Sequence, residues 1–281
     1  MRIVNTFISD GGPFPSYIET SLVQARRKNP HVPIDFICKE RQLFFSAYGI
    51  NWIPQDGLSD GDLLGQFNQV CDFKRHGTPN TTHPSPEMFW HRTAERIFYV
   101  LEYITRNNHE KVFHFENDVL LYHPISRAEV NGKTVNVTPM SATHTTFAVT
   151  YVPAPGMLAD LCKRFIYYLE CGEDSIRAAG GYDHVSEMSL LNLALREGLV
   201  HPLPTISTEG EFVYDPGSYG QYFGGTNNGH GKGFTDPTHF IGHAINSKMV
   251  FPAFMVDGPI NGDHSIFNLH IHSKNLKDFA R

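Results

Sequence analysis

At 281 residues the chain has length for one large domain or two small ones, each with a buried core. Lysine and arginine number 23 against 29 acidic residues, a formal net charge of −6, and the largest basic cluster is Arg26-Arg27-Lys28, which excludes general nucleic-acid binding. No apolar run reaches the roughly 18 residues of a membrane span, and the chain opens directly on strand-like Met1-Arg2-Ile3-Val4, so neither signal, anchor nor integral membrane contact is expected. Cysteines 38, 71, 162 and 171 form no CxxC pair and read as reduced thiols, which suits a soluble, cytoplasmic protein.

Residues 3–8 read as a buried first strand ending in the turn cluster Ser9-Asp10-Gly11-Gly12-Pro13. A helix starts at Ser16 or Tyr17, buries Ile18, Leu22 and Ala25, and stops at Asn29-Pro30. Residues 33–38 form a second strand, and this βαβ rhythm predicts a mostly parallel sheet with right-handed crossovers. Residues 51–54 make a short third strand, and 55–86 read as irregular. Pro86-Glu87 opens an amphipathic helix through Arg106, with Phe89, Thr93, Ile97, Val100, Leu101 and Ile104 at helical spacing. On it Arg92 and Arg96 lie four apart beside Glu95, as either a solvated salt-bridged face or cations kept for a ligand.

The helix leads into His114-Phe115-Glu116-Asn117-Asp118-Val119-Leu120-Leu121-Tyr122, two acids set into an apolar run. In an extended segment Glu116 and Asp118 share a face and Asn117 takes the other. Buried carboxylates require a positive partner, and a divalent metal suits this spacing. The plainer alternative is a strand running out into an Asn-Asp turn. In open α/β sheets ligands bind beyond the carboxyl ends of strands, where these acids fall.

Strands follow over 135–138 and 145–151, then a helix from Pro155 to Cys171 with Leu158, Leu161, Phe165 and Leu169 inward. A further helix begins at Asp183 or Ser186 and is closed by Gly198. Residues 209–233, rich in Gly, Tyr and Asn, read as loops. No linker or repeat divides the chain, so one domain is expected, with a nucleotide half over about 1–122 and an acceptor half over about 123–281.

Near the C-terminus, Ile266-Phe267-Asn268-Leu269-His270-Ile271-His272-Ser273-Lys274 alternates so that His270, His272 and Lys274 share a face. Two carboxylates plus one imidazole suit Mn²⁺ or Mg²⁺, whereas zinc prefers more nitrogen or sulfur. Lys274 is placed to meet the same phosphates.

With these residues in hand, the sequence resembles the GT-A-fold glycosyltransferases, which use nucleoside-diphosphate sugars as donors and bind a metal. The resemblance rests on the N-terminal βαβ, the Arg-bearing helix, Glu116-Asn117-Asp118 in place of the family's Asp-x-Asp, the helix of Glu187-Met188-Ser189-Leu190-Leu191-Asn192 and the His-Ile-His-Ser-Lys tail. It implies a GT-A-like α/β domain. Asp118 and His272 are its metal ligands, and Glu116 serves the metal or the donor. Lys274 and Arg92 or Arg96 meet the diphosphate of a UDP- or GDP-linked sugar, and Asn5, Thr6 and Asp10 meet the nucleoside. Glu187 and Asp183 are the candidate bases of an inverting reaction, although first-turn acids also suit the positive end of a helix. Tyr219, Gln221 and Tyr222 either bind an acceptor glycan or pack their loop. The rival readings are a metal-dependent nucleotide-sugar hydrolase or phosphoesterase and a nonenzymatic nucleotide- or sugar-binding domain.

Overall fold

The computed structural model describes residues 1–9, 13–73, 88–182, 185–227 and 229–281. Strands β1 (Arg2–Phe7), β2 (Ile34–Cys38) and β3 (Ile50–Pro54) pair in parallel, with Ile3 opposite Ile34 and Ile34 opposite Ile50. Helix α1 (Ser16–Lys28) supplies the crossover between β1 and β2. On the other side of β1 lies β4 (Val112–Phe115), also parallel, with Ile3 opposite Phe113. All four β4 residues are buried, as a strand covered on both faces requires.

The sheet extends through β7 (Thr145–Val152), antiparallel to both β4 and β6 (Val135–Pro139), and closes with β8 (Val200–Pro202), parallel to β6. The order is therefore β3-β2-β1-β4-β7-β6-β8, a mostly parallel sheet flanked by helices. On one face α4 (Phe89–Arg106) packs Ile97, Phe98, Val100, Leu101 and Ile104, all nearly inaccessible, into the same core as α5 (Pro155–Glu170) and α7 (Glu187–Arg196). Each such side chain contributes about 1.5–3 kcal/mol of burial. On the other face α1 supports the short strand β5 (Val119–Leu121), where Ser21 Oγ donates to Val119 O at 2.6 Å and Gln24 Nε2 donates to Leu121 O at 2.7 Å.

Four stretches carry elements that the sequence reading lacks. Within 55–73 the chain forms a 3₁₀ turn, Gln55–Leu58, and a helix α3 (Asp62–Val70) burying Leu64 and Phe67, which the neighbouring turn residues conceal. A short helix α2 (Leu43–Ala47) precedes β3, and α6 (Glu173–Gly180) precedes α7. The Gly- and Tyr-rich stretch carries strand β9 (Phe212–Val213) and helix α8 (Ser218–Gly224), followed by α9 (Phe240–Asn246). A second sheet, β10 (Pro252–Met255), β11 (Gly258–Asn261), β12 (His264–Ile266) and β9, then leads into β13 (Asn268–His270). The opening of α4 at Pro86-Glu87 falls outside the described residues. No described helix is long and apolar enough to cross a membrane.

His123 follows β5 and packs against the rings of Phe212 and Phe267, at 4.7 and 6.0 Å between centroids. Burial, assisted by Arg127, lowers its pKa to about 4. The unfolded chain therefore takes up a proton that the fold does not between the ordinary value of about 6.5 and about 4. Stability from this residue is complete above that window and is lost as pH falls through it. His123→Phe is expected to shrink the acid loss by on the order of 1 kcal/mol after allowance for solvent screening, read from urea midpoints at neutral pH and near pH 4.5.

Candidate active site

The acids sit where β4 ends. Glu116 N still donates to Ala148 O at 2.9 Å, but Val119 N donates back to Glu116 O at 3.1 Å, so Asn117 and Asp118 lie in a turn between β4 and β5. The strict alternation expected from an extended strand is thus interrupted. Asn117 consequently lines the same cavity as both acids, fixed by Asn117 Nδ2 donating to Thr6 O at 2.8 Å. Behind the turn, Asn5 Oδ1 accepts from Phe115 N at 3.0 Å, making Asn5 a buried brace, while Thr6 lines the cavity. His114 donates through Nδ1 to Val4 O at 2.9 Å, and burial holds its pKa down at about 3, so it is a neutral structural histidine.

The C-terminal histidines arrive by strand pairing. Strand β13 runs antiparallel to β5 with His270 opposite Val119, and Ile271 N donates to Asp118 O at 2.8 Å. His270 Nδ1 donates to Pro216 O at 3.1 Å, which aims Nε2 at Asp118 Oδ1, 3.1 Å away, and Glu116 Oε2, 3.4 Å away. Ligand atoms of Glu116, Asp118 and His270 lie within 4.8 Å of one another. The histidine in this group is His270, where the sequence favoured His272. The strand ends at His270 and the chain turns, with Lys274 at φ +63°, so alternation does not carry His272 to the same point. His272 also lines the cavity; its ring meets that of His270 edge-on at 4.4 Å, and its Nδ1 accepts from Gln221 Nε2 at 2.9 Å.

Charge is closely balanced here. Burial alone would raise Asp118, but His270 and then Lys274 outweigh it and hold the carboxyl well below its ordinary value. Burial would likewise raise Glu116, and Arg96 followed by His270 keeps it low. Burial would lower His270, yet Asp118 and Glu116 lift it to about 9. His272, buried beside that cation, falls to about 3 and is neutral. Lys274 pairs with Asp118 and lies 5.4 Å from the centre of the Tyr17 ring.

The α4 arginines are not a solvated face. Arg96 Nη2 bonds Glu116 Oε1 at 2.7 Å and reaches Glu187 Oε1 at 3.4 Å, joining the β4 turn to the first residue of α7. Thr93 Oγ1 donates to Glu187 Oε2 at 2.9 Å. Burial raises the Glu187 carboxyl against the pull of Arg96. Arg92 pairs with Glu95 and also lines the cavity. Asp10 and Asp183 lie outside the described residues.

Of the three residues assigned to the acceptor, Gln221 lines the cavity. Tyr219 is fully buried and donates its hydroxyl to Thr205 O at 3.0 Å, a core role imposed by α8, whose formation the loop reading missed. Tyr222 lies off the cavity wall, its ring edge-on to Phe223 at 5.3 Å. Sequence reasoning also missed Asp215. Its Oδ1 accepts from Gly217 N at 2.8 Å and Tyr219 N at 2.9 Å, and its Oδ2 from Gly220 N at 2.8 Å and His270 N at 3.0 Å. An Asp just ahead of Gly-Ser is the available signal, since such residues cap helices.

These walls enclose a cavity of about 650 Å³, within the range of small-molecule sites. Thr6 Oγ1, Asn117 Oδ1 and Gln221 Oε1 are buried on its lining without partners among the described residues. Fold and site together define an α/β protein with a polar cavity centred on two carboxylates, an imidazole and two cations at the sheet's carboxyl edge. Neither a protein-family model nor a curated protein matches the chain. Among solved structures it is similar to apo mouse xyloside xylosyltransferase 1, at 8% identity over 72% of this chain and 84% of that one, with a TM-score of 0.49. It is also similar to the galactosyltransferase LgtC in complex with donor and acceptor sugar analogues, at 12% identity over 73% of each chain and a TM-score of 0.41. The PaToxG glycosyltransferase matches at 11% identity over 69% of each chain, TM-score 0.40.

Proposed function

We propose that this chain is a metal-assisted glycosyltransferase that moves a sugar from a UDP- or GDP-linked donor to a hydroxyl of a glycan or other acceptor. The observation that carries the reading is the convergence of Glu116, Asp118 and His270 on one point of the cavity, flanked by Lys274 and Arg96. The donor set fits Mn²⁺ or Mg²⁺: two hard carboxylates and one imidazole, the latter held by its other nitrogen on a backbone carbonyl as metal-bound histidines usually are. When bound there, the ion supplies positive charge beside the diphosphate as the sugar–phosphate bond breaks.

The chain's own groups account for the rest. Lys274 and Arg96 add fixed positive charge at the same end of the cavity. The partnerless polar atoms of Thr6 and Asn117 suit a nucleoside, which supports a nucleotide half over about residues 1–122 and an acceptor half over about 123–281 whose C-terminal tail, with His270 and Lys274, serves the metal and phosphates. Glu187, buried on the wall and raised by that burial, is the carboxylate to take the acceptor's proton in an inverting reaction. Only one such ligand group occurs among the described residues, which favours a single-metal transferase over a two-metal phosphoesterase.

Calorimetry with UDP, GDP and CMP, each with and without Mn²⁺, tests this reading: one nucleotide is expected to bind only with the metal, and equal binding without it counts against the site. Glu187→Gln is expected to slow transfer by about 10²–10³-fold while nucleotide affinity stays unchanged. Because burial raises the Glu187 pKa, the wild-type rate should climb with pH through a value above the ordinary carboxylate range, and the variant should lose that limb. An unaltered rate removes Glu187 from the chemistry.

A further inference from the structure

The chain between α8 and α9 carries a polar pair that the nucleotide and metal roles leave unused. Ser218 Oγ lies 3.0 Å from His239 Nδ1, and Asp236 Oδ2 lies 3.7 Å from His239 Nε2. The second distance is beyond hydrogen-bond reach, so the carboxylate and imidazole do not satisfy one another. The other oxygen, Asp236 Oδ1, is already taken by Thr238, whose amide donates at 2.9 Å and hydroxyl at 2.7 Å. Burial would raise Asp236, but these two donors outweigh it, so the carboxylate is ionised. Burial lowers His239, which is therefore neutral. An unprotonated Nε2 would set its lone pair against the ionised Asp236 carboxylate, so the ring proton sits on Nε2 and the Ser218 hydroxyl donates to Nδ1. The wall thus sets a carboxylate acceptor 3.7 Å from an N–H donor, close enough for one hydroxyl lying to the side of the pair to donate to the first and accept from the second.

The pair is held rigidly. His239 N donates to Asp236 O at 3.1 Å and Phe240 N to Met140 O at 2.9 Å. A Cβ on Gly242 would stand 1.9 Å from Asp236 O, so only glycine lets α9 lie this close to the turn. Two residues before Asp236 in the chain, the ring of Phe234 stacks on that of His230 at 4.1 Å with 11° between planes. His230, Phe234, Asp236 and His239 all line the cavity that holds the acids. A flat aromatic surface next to a paired donor and acceptor is the combination that recognises a sugar ring, one face being C–H and the edge hydroxyl.

The geometry points to an acceptor subsite over residues 230–239 that takes a hexopyranose, one hydroxyl bridging Asp236 Oδ2 and His239 Nε2 from the cavity and the apolar ring face on Phe234. This rests on the transferase reading and gives its acceptor a chemical class, a carbohydrate. It also moves acceptor recognition from Tyr219 and Tyr222 to the segment after α8.

The test is saturation-transfer NMR of the full chain with methyl glucopyranoside, galactopyranoside and mannopyranoside, paired with Mn²⁺–nucleotide calorimetry on the same samples. At least one glycoside is expected to bind the wild type. Asp236→Ala is expected to weaken it by roughly tenfold or more and Phe234→Ala by about fivefold. Both variants should keep nucleotide binding, whereas Asp118→Asn should keep the glycoside and lose the nucleotide. If no glycoside binds the wild type, or Phe234→Ala and Asp236→Ala bind it unchanged, the subsite is overturned. Should Asp236→Ala melt early, Phe234→Ala decides. Glycoside binding without metal-dependent nucleotide binding sinks the transferase reading instead.

Discussion

Asp118→Asn is expected to weaken metal-dependent nucleotide binding by at least about 100-fold and to reduce transfer by about 10³-fold. Asp118 is the point on which the site's charges meet, with one oxygen on Lys274 and the other 3.1 Å from His270 Nε2. An amide of the same shape keeps the volume but contributes no charge and offers one acceptor oxygen instead of two. It also strands the two cations, and removing one partner of a buried pair costs about 3–5 kcal/mol when the remaining charge cannot relax. His270 can relax by giving up its proton, since Asp118 is the foremost charge lifting it to about 9. The fold should therefore survive, with a lowered midpoint that is less severe at alkaline pH. Calorimetry with Mn²⁺ and a nucleotide, beside a thermal melt of the same sample, separates loss of the site from loss of the fold. Metal-dependent affinity that persists in a folded Asp118→Asn would overturn the assignment of this cluster.

The parts of this structure that were legible in the sequence are those whose signal is local. The βαβ start, the long α4 and the strands around β7 announce themselves by apolar periodicity, and Glu116-Asn117-Asp118 stands out because charge interrupts a buried run. The selection of His270 over His272 depends on where β13 stops pairing with β5, a tertiary fact that alternation cannot supply. Arg92 and Arg96 were visible as cations, but their removal from solvent follows from α4 lying against the β4 turn and α7. Helix α8 was concealed by its own composition. Gly220 is there because a Cβ would fall 1.9 Å from His270 O, so the residue that reads as a loop former is the one that lets the helix touch β13. Gly217 at φ +136° likewise starts that helix beneath His272, whose Nε2 would be 2.7 Å from a Cβ.

Asp215→Asn should be the most destabilising conservative change outside the charged groups of the cavity, lowering stability by about 3 kcal/mol. Asp215 is wholly buried and its two oxygens accept four backbone amides, two from the start of α8 on Oδ1 and one each from Gly220 and His270 on Oδ2. Asparagine retains only one accepting oxygen. Whichever way the amide is turned, two backbone N–H groups then face an NH₂, and each unmet buried donor costs about 1–3 kcal/mol. The loss should be registered in function as well. The Asp215 carboxylate ties the amide of His270 to α8, and α8 presents Gln221 to His272, so loosening it displaces both histidines relative to the acids. A urea midpoint shift at constant slope, together with Mn²⁺–nucleotide affinity about tenfold weaker in protein that is still folded, is the expected pattern. A stability change within about 0.5 kcal/mol would show that the four amides find other partners, and that Asp215 is not what holds the histidine strand to its helix.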